Sequence, residues 1–269
     1  MPSIEDANKA ILHRWYQEVY NQKKLSLMPE LAGPEFIRHE PEGTWITSIK
    51  EHMKRVKGMF ESGKTTAGSR DYELIAEADK VAALGVGYDL HGEVVYYWLQ
   101  VFRFENGKLV ETWFPGYVRG VDWGEILHAS YAGHEKESTS AVSRERNKAV
   151  LRRWWSEMYA EHRFEAMMSH LAGPEYIRHE LTGTWTATIE EHLERIKKLY
   201  PTGDTVQRPQ ISYELIAEGD KVAGYGTMRG YRAGGRDGND VYSFVQLFRL
   251  RAAKIVETWF PGWVKDVAW

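Results

Sequence analysis

One motif of this 269-residue chain occurs twice and contains a histidine followed by a glutamate each time. Residues 31–45 read LAGPEFIRHEPEGTW, and residues 171–185 read LAGPEYIRHELTGTW. Histidine titrates near neutral pH and a carboxylate can accept a proton, so the two side chains suit general acid and base catalysis. We predict that the following residues are catalytic: His39, Glu40, His179 and Glu180.

The motif reads as an extended strand framed by turns. Period-2 alternation then places Ile37 and His39 on one face, and Arg38 and Glu40 on the other. One pocket receives both His39 and Glu40 only if the turn at Pro41 bends them together. The histidine takes precedence because it titrates near neutrality. A hydrogen-bonded structural histidine is the alternative interpretation.

Trp and Tyr are unusually frequent, with 11 and 15 residues. Their rings line ligand cavities as well as hydrophobic cores, because the polar tip of each ring needs a partner. Large cores together with an interface are the alternative explanation. We expect a small apolar or aromatic substrate in a deep pocket in each half. The predicted substrate-binding residues are Trp15, His52, Tyr96, Trp98, Gln100, Trp154, His192, Tyr242, Phe244 and Gln246.

The composition excludes several kinds of partner and site. The net charge is −3 and no run of Lys and Arg stands out, so we expect neither nucleic acid nor an anionic membrane as a partner. No apolar run could span a bilayer and no signal peptide is evident, which predicts a cytoplasmic protein. The chain has no Cys, which excludes disulfides and thiolate catalysis. Compact metal-ligand spacing and Gly-rich phosphate loops are both missing, so we predict no metal and no cofactor.

Hydrophobic periodicity predicts the same series of elements in each half. The first half should contain helices over residues 4–21 and 47–60, with a short helix between them. The period then changes to two, which indicates antiparallel strands joined by turns at His91-Gly92 and Asn106-Gly107. YELIAE and VETWFPG each occur once per half. We therefore predict two domains and a linker, over residues 1–125, 144–269 and 126–143 respectively.

The order of these motifs resembles the nuclear transport factor 2-like superfamily, and within it the SnoaL-like polyketide cyclase branch. The resemblance rests on HEPxGTW after the first helices, a helix that carries a His, and a meander that ends in GKLVETW. It covers nearly the whole chain, once per half. It implies two tandem cone-shaped α+β barrels, each a curved antiparallel sheet wrapped on helices. The two would pack as an intramolecular pseudo-dimer, and a further homodimer is left open.

The resemblance also implies roles for single positions. Glu40, followed by Pro41, falls where ketosteroid isomerases of this superfamily have a general-base Asp, whereas Glu180 is followed by Leu. Gln100 falls on the Asp that donates to the oxyanion, and Trp15 falls near the donor Tyr. These departures argue against steroid isomerisation.

We therefore expect a cofactor-independent enzyme that moves protons on an aromatic or polycyclic hydroxy or carbonyl compound. Lyase chemistry, such as an aldol, retro-aldol or dehydration step, is the first expectation, with cyclase, isomerase or hydrolase chemistry left open. The alternative is a non-catalytic module of the same fold that binds a small molecule or another protein. Glu40-Pro41 favours the first half as the active one.

Overall fold

The computed structural model describes the following residues: 2–62, 69–124, 140–161, 163–166, 172–199, 209–230 and 240–269. The chain forms two compact units. The described part of the first unit ends at Val121, and Asp122–Gly124 belong to the second. Most of the predicted linker lies outside the described residues, and a helix begins inside it at Ala141. The predicted domain boundaries and the predicted pseudo-dimer both stay predictions.

Each unit starts with a helix that changes its winding. In the first unit, helix α1 (Ile4–Arg14) continues as a π-helix over Trp15–Asn21. In the second unit, helix α4 (Ala141–Arg153) continues as a π-helix over Trp154–Ala160. The predicted helix over residues 4–21 is therefore confirmed, and its last seven residues are π-helical. The wider turn is visible where the N–H of Gln22 donates to the carbonyl five residues earlier, at 3.0 Å.

The two units repeat one order of strands and helices. The elements of the first unit are α1, α2 (Met28–Leu31), β1 (Ala32–Glu40), β2 (Gly43–Ser48), α3 (Ile49–Glu61), β3 (Ser69–Glu77), β4 (Lys80–Tyr88), β5 (Val94–Glu105), β6 (Lys108–Trp113) and β7 (Tyr117–Val118). The elements of the second are α4, β8 (Ala172–Glu180), β9 (Gly183–Thr188), α5 (Ile189–Leu199), β10 (Gln210–Glu218), β11 (Lys221–Arg229), β12 (Val241–Arg251), β13 (Lys254–Trp259) and β14 (Val264–Lys265).

One seven-stranded sheet forms in each unit, which confirms the predicted tandem α+β fold. The first sheet has the order β2-β1-β6-β5-β4-β3, and β7 pairs with β5. Strands β2 and β3 are its edges, so the predicted barrel does not close. Strands β1 and β6 run parallel, with His39 opposite Trp113, so the sheet is mixed rather than purely antiparallel. The predicted hairpin turn at Asn106-Gly107 is confirmed by positive φ angles of 51° and 69°.

A tryptophan fills the interior of the second unit where the first unit has a tyrosine. Trp155 follows Trp154 as Tyr16 follows Trp15, and its ring lies directly over Gly224. Gly224 pairs with Gln246 in the sheet. The first unit places Ala83 at the matching register, opposite Gln100. Trp155 is larger than Tyr16, and Gly224 beneath it is smaller than Ala83 at the matching position.

Replacing Gly224 with Ala should destabilise the second unit. The new Cβ would lie 2.0 Å from a ring carbon of Trp155, and overpacking of this kind costs about 1–3 kcal/mol. Urea unfolding of the variant measures the loss, and Trp155→Phe should recover part of it. Gly58→Ala in α3 is the control, because its Cβ would meet nothing within 4 Å. Since Ala is the better helix former, this variant should gain up to about 1 kcal/mol in the free energy of unfolding. A Gly224→Ala protein as stable as the wild type would contradict the described packing.

Candidate active site

A cavity opens in the first unit between the π-helix, helix α3 and the concave face of the sheet. Its enclosed volume is about 60 Å³, and the space between its walls is about 540 Å³ when the open mouth is included. No Asp or Glu is among the described residues that line it. The lining residues are Trp15, Tyr16, Tyr20, Phe36, Arg38, His52, Arg70, Trp98, Gln100, Phe102, Leu109, Thr112, Phe114 and Tyr117.

The π-helix supplies one wall of the cavity. Trp15 and Tyr20 are five residues apart, which is one turn of a π-helix, so both rings face the same side. Tyr16 sits between them and makes an edge-on contact with Phe102 across the cavity, with ring centroids 6.1 Å apart. Three aromatic rings therefore reach the cavity from seven consecutive residues.

His52 on α3 is held between aromatic rings and a guanidinium group. It stacks on Trp15 with ring centroids 6.0 Å apart and an angle of 4° between the planes. Phe36 meets it edge-on at 5.1 Å. Arg38 lies 3.0 Å from its Nδ1 and 3.4 Å from its Nε2. A guanidinium group can only donate, so one ring nitrogen of a neutral His52 accepts from Arg38 and the other can carry the proton.

Electrostatics keep His52 neutral. Burial, together with the positive charges of Arg38 and Arg55, holds the pKa of His52 well below its ordinary value of 6.5. Burial also lowers the pKa of Arg38, to about 10, so Arg38 remains a cation at neutral pH. His52 is therefore a hydrogen-bond donor across the physiological pH range.

Glu40 balances the charge of Arg38. The two side chains are in direct contact, and Arg55 lies 3.1 Å from the other carboxylate oxygen of Glu40. Only the terminal nitrogens of Arg38 make these contacts. Its Nε–H is buried and has no hydrogen-bond partner among the described residues.

Tyr16 adds a second donor. The indole N–H of Trp98 donates to the Tyr16 hydroxyl oxygen at 3.3 Å. Burial raises the pKa of Tyr16 well above 10, so the hydroxyl keeps its proton. Because the oxygen already accepts from Trp98, the hydroxyl hydrogen is available to a ligand.

His39 lies on the opposite face of β1 and is not among the residues that line the cavity. Its Nδ1 is 2.8 Å from the Thr44 hydroxyl, and its Nε2 is 2.8 Å from Glu111. The ring stacks on Trp113 at 5.1 Å. His179 repeats these contacts in the second unit, with Thr184, Glu257 and Trp259 in the matching places. The acid–base role of both histidines stays a prediction, and the structure brings neither of them to the cavity wall.

The other sequence-predicted residues of the first unit are largely brought together. Trp15, His52, Trp98 and Gln100 line the cavity. Tyr96 does not line it, but its ring is 5.8 Å from that of Trp98. Tyr16, Arg38 and Arg70 were missed. Arg38 stands in the repeated motif, on the strand face of Glu40, and alternation could have singled it out.

In the second unit the matching side chains pack into a hydrophobic cluster. Trp154, Tyr242 and Phe244 are buried in it, and Gln246 is buried as well. His192 is 1% exposed, and neither ring nitrogen has a hydrogen-bond partner among the described residues. Burial lowers its pKa to about 2.

The arginine of the second motif makes hydrogen bonds to two side chains of its own strand. Arg178 donates to Glu180 from two nitrogens and to the Tyr176 hydroxyl from a third, so no hydrogen bond to His192 forms. Glu180 also accepts from Arg195 at 2.9 Å. Although burial acts to raise it, the two arginines hold the pKa of Glu180 below its ordinary value. Predicted catalytic Glu180 is thus part of an ion-pair network.

Two further properties bear on function. No three His, Asp or Glu side chains of the described residues are grouped closely enough to hold a metal ion. In the same part of the chain, every helix is too short or too polar to cross a membrane.

Comparison with known proteins gives matches only to solved structures. No family profile matches the chain, and no curated protein matches its sequence. A candidate polyketide cyclase from Acidithiobacillus ferrooxidans is 18% identical, with a TM-score of 0.34, over 42% of this chain and 89% of that one. A candidate SnoaL-like polyketide cyclase from Jannaschia sp. CCS1 is 17% identical, with a TM-score of 0.34, over 42% and 88%. These are the kinds of protein that the sequence resembles.

A candidate ketosteroid isomerase from Kribbella flavida is also similar, at 15% identity and a TM-score of 0.34, over 45% of this chain and 81% of that one. The predicted resemblance to SnoaL-like and nuclear transport factor 2-like proteins is confirmed as a likeness of fold. Each match covers somewhat less than half of the chain, which is the length of one unit. At these identities the likeness concerns the fold alone.

Replacing Glu111 with Gln should remove a stabilising contact of His39. Burial acts to raise the pKa of Glu111, but hydrogen bonds from His39 and Arg103 outweigh it and leave the pKa below 4.5. The ionised carboxylate therefore stabilises the fold above about pH 4.5, and this stabilisation is lost as the pH falls through the lowered pKa. We expect the variant to lose about 1–3 kcal/mol at pH 7 and less at pH 3.

Urea unfolding at both pH values measures the difference. Glu105→Gln is the matched control, because that side chain is 63% exposed and lies 3.7 Å from the same Arg103. It should change the free energy of unfolding by less than about 1 kcal/mol. A Glu111→Gln loss that is equal at pH 3 and pH 7 would contradict the assigned ion pair.

Proposed function

We propose that the first unit is a cofactor-independent enzyme that transfers a proton on an aromatic or polycyclic hydroxy or carbonyl compound. Lyase chemistry of the retro-aldol or dehydration type is the first candidate, with cyclase or isomerase chemistry close to it. The observation that carries the proposal is a neutral His52, fixed by Arg38 inside an aromatic cavity. A neutral imidazole beside a cation can donate to an oxygen that becomes negative without losing its own proton.

The donors favour a carbonyl oxygen as the reacting group. In the proposed step a base removes a proton from the carbon beside the carbonyl, and the electron pair of that C–H bond moves onto the oxygen. The N–H of His52 and the Tyr16 hydroxyl donate to this oxyanion, and the charge of Arg38 stabilises it. For a retro-aldol step the base takes the hydroxyl proton, and a carbon–carbon bond breaks to form the same oxyanion. Preorganised donors of this kind are worth about 10²–10³ in rate each.

Glu40 is our candidate for the base. The family resemblance assigns it the place of the general-base carboxylate, and strand alternation puts it on the face of β1 that carries Phe36 and Arg38 into the cavity. Glu40 does not itself line the cavity, but its contact with Arg38 links it to the donor pair. His39, the other sequence-based candidate, is the competing assignment, and the same assay tests it.

We propose the first unit rather than the second as the active one. The second unit has Trp155 for Tyr16, which replaces the hydroxyl with an indole N–H, and Phe244 for Trp98, which removes the indole at that position. Its Arg178 is engaged by Glu180 and Tyr176 instead of His192. The donor arrangement of the first cavity is therefore not repeated.

A binding module is the second candidate function. It is favoured by the lack of a carboxylate among the described lining residues, because a pocket without a base can hold a ligand but cannot enolise it. The two functions differ in one observable: only the enzyme exchanges the protons beside the ligand carbonyl with solvent.

Exchange of those protons in D₂O, followed by NMR on a panel of bicyclic aryl ketones beginning with 1-tetralone, tests the proposal. The wild type should exceed the buffer rate, and His52→Gln should lower the enzymatic rate about 10²–10³-fold. His192→Gln is the matched control in the second unit and should leave the rate unchanged. Because His52 is already neutral, its protonation should add no inflection to the pH–rate profile between pH 5 and 8.

Three outcomes would count against this assignment. Exchange at the buffer rate with every ketone that binds would favour the binding module. A loss confined to His39→Gln, with His52→Gln fully active, would place the chemistry on the other face of β1. A loss in His192→Gln alone would move the active site to the second unit. Circular dichroism of each variant verifies that it is folded.

A further inference from the structure

We infer that the ligand of the first-unit cavity carries a carboxylate group, and that Arg70 binds it. The inference rests on the proposed function for the location of the site, and it specifies the substrate class. Arg70 lies near the start of edge strand β3, lines the cavity, and is only 5% exposed.

The guanidinium of Arg70 has neutral partners only. It donates to the Asn21 side-chain oxygen at 3.3 Å and lies over the Tyr20 ring, 5.2 Å from its centroid. No carboxylate of the described residues forms an ion pair with it. A buried cation with no opposite charge is costly to the fold, so an anion should bind there favourably.

Other buried arginines of this chain show what is missing at Arg70. Arg38 contacts Glu40, Arg178 is paired with Glu180, and Arg249 lies 2.5 Å from Glu257. The side chains of these three arginines are 6–12% exposed, and each has a protein carboxylate beside it. Arg70 is equally buried, but the space in front of it is the cavity. A ligand can therefore supply the carboxylate that the protein supplies elsewhere.

The surroundings of Arg70 select the kind of anion. A planar guanidinium matches a planar carboxylate with two parallel hydrogen bonds. The adjoining walls are rings, among them Tyr16, Tyr20 and Trp98, which suit a flat aromatic body. Arg38 has Glu40 beside it, which leaves Arg70 as the one cation among the described lining residues without a carboxylate partner. An aromatic monocarboxylate fits this balance.

The second unit lacks this feature. The shared YELIAE motif places Tyr72 on Tyr213, so Ile211 stands where Arg70 does. An aliphatic side chain cannot bind a carboxylate. One acid should therefore bind per chain, in the first unit.

Binding of 2-naphthoate and of 2-acetonaphthone, its neutral counterpart of similar shape, tests the inference on the full chain. Titration calorimetry, with Trp fluorescence as a second readout because Trp15 and Trp98 line the cavity, gives the affinities. The acid should bind about 10–100-fold more tightly than the ketone, as expected for a charge-assisted hydrogen-bonded pair. The stoichiometry should be one per chain.

Arg70→Leu should remove this preference by weakening naphthoate about 10–100-fold while changing the ketone little. Arg70→Lys, which keeps the charge, should recover part of the affinity. Arg152→Leu is the control, since that side chain is 49% exposed in the second unit and should have no effect. Equal wild-type affinities for acid and ketone would overturn the inference, and this comparison needs no variant.

The naphthoate-binding test and the ketone-exchange test can succeed or fail independently of each other. Tight, Arg70-dependent naphthoate binding without ketone exchange would leave the inference standing and remove the enzymatic proposal. His52-dependent exchange without preference for the acid would do the reverse. Unchanged naphthoate affinity in Arg70→Leu would mean that the acid is held elsewhere.

Discussion

The burial of the Arg38 charge is the constraint on which the first-unit site depends. A guanidinium group inside a protein needs acceptors, and here Glu40 and His52 provide them. The contact with Arg38 fixes the imidazole, and burial together with the charges of Arg38 and Arg55 lowers its pKa, so the ring stays neutral. Trp15 and Phe36 then keep the imidazole plane in place. The chemistry proposed for the cavity follows from how one positive charge is accommodated.

The duplicated units show two solutions to the same constraint. The motif around Arg178 repeats the first, but this arginine turns to Glu180 and Tyr176 and leaves the nitrogens of His192 without partners. The interior is filled by Trp155 over Gly224. The same order of strands and nearly identical motifs thus give a cavity in one unit and a packed interior around the corresponding positions in the other. A few side chains next to the motif decide between them.

Local rules recovered much of the fold from the sequence, and less of the site. Asn106-Gly107 formed the predicted hairpin because both residues tolerate positive φ, and Ser48 with Glu51 capped α3 where periodicity began. Alternation separated His39 from Arg38 correctly, but it cannot say which face of a strand borders a cavity. The π-helix has no simple sequence signal, since its extra residue is stabilised by tertiary packing. Arg70 stands outside every repeated motif. Its proposed role depends on having no carboxylate partner among the described residues, and the sequence does not show which residues lie beside it.

The cavity also has a volumetric consequence. Empty space inside a folded protein disappears when the chain unfolds, and hydrostatic pressure favours the state of smaller volume. The cavity beside Trp15, Arg38 and Arg70 therefore makes the first unit easier to unfold by pressure than it would be with a filled interior. A molecule that fills this space removes part of the volume difference and adds binding energy to the folded state. A ligand bound in the cavity should therefore raise the hydrostatic pressure at which the first unit unfolds.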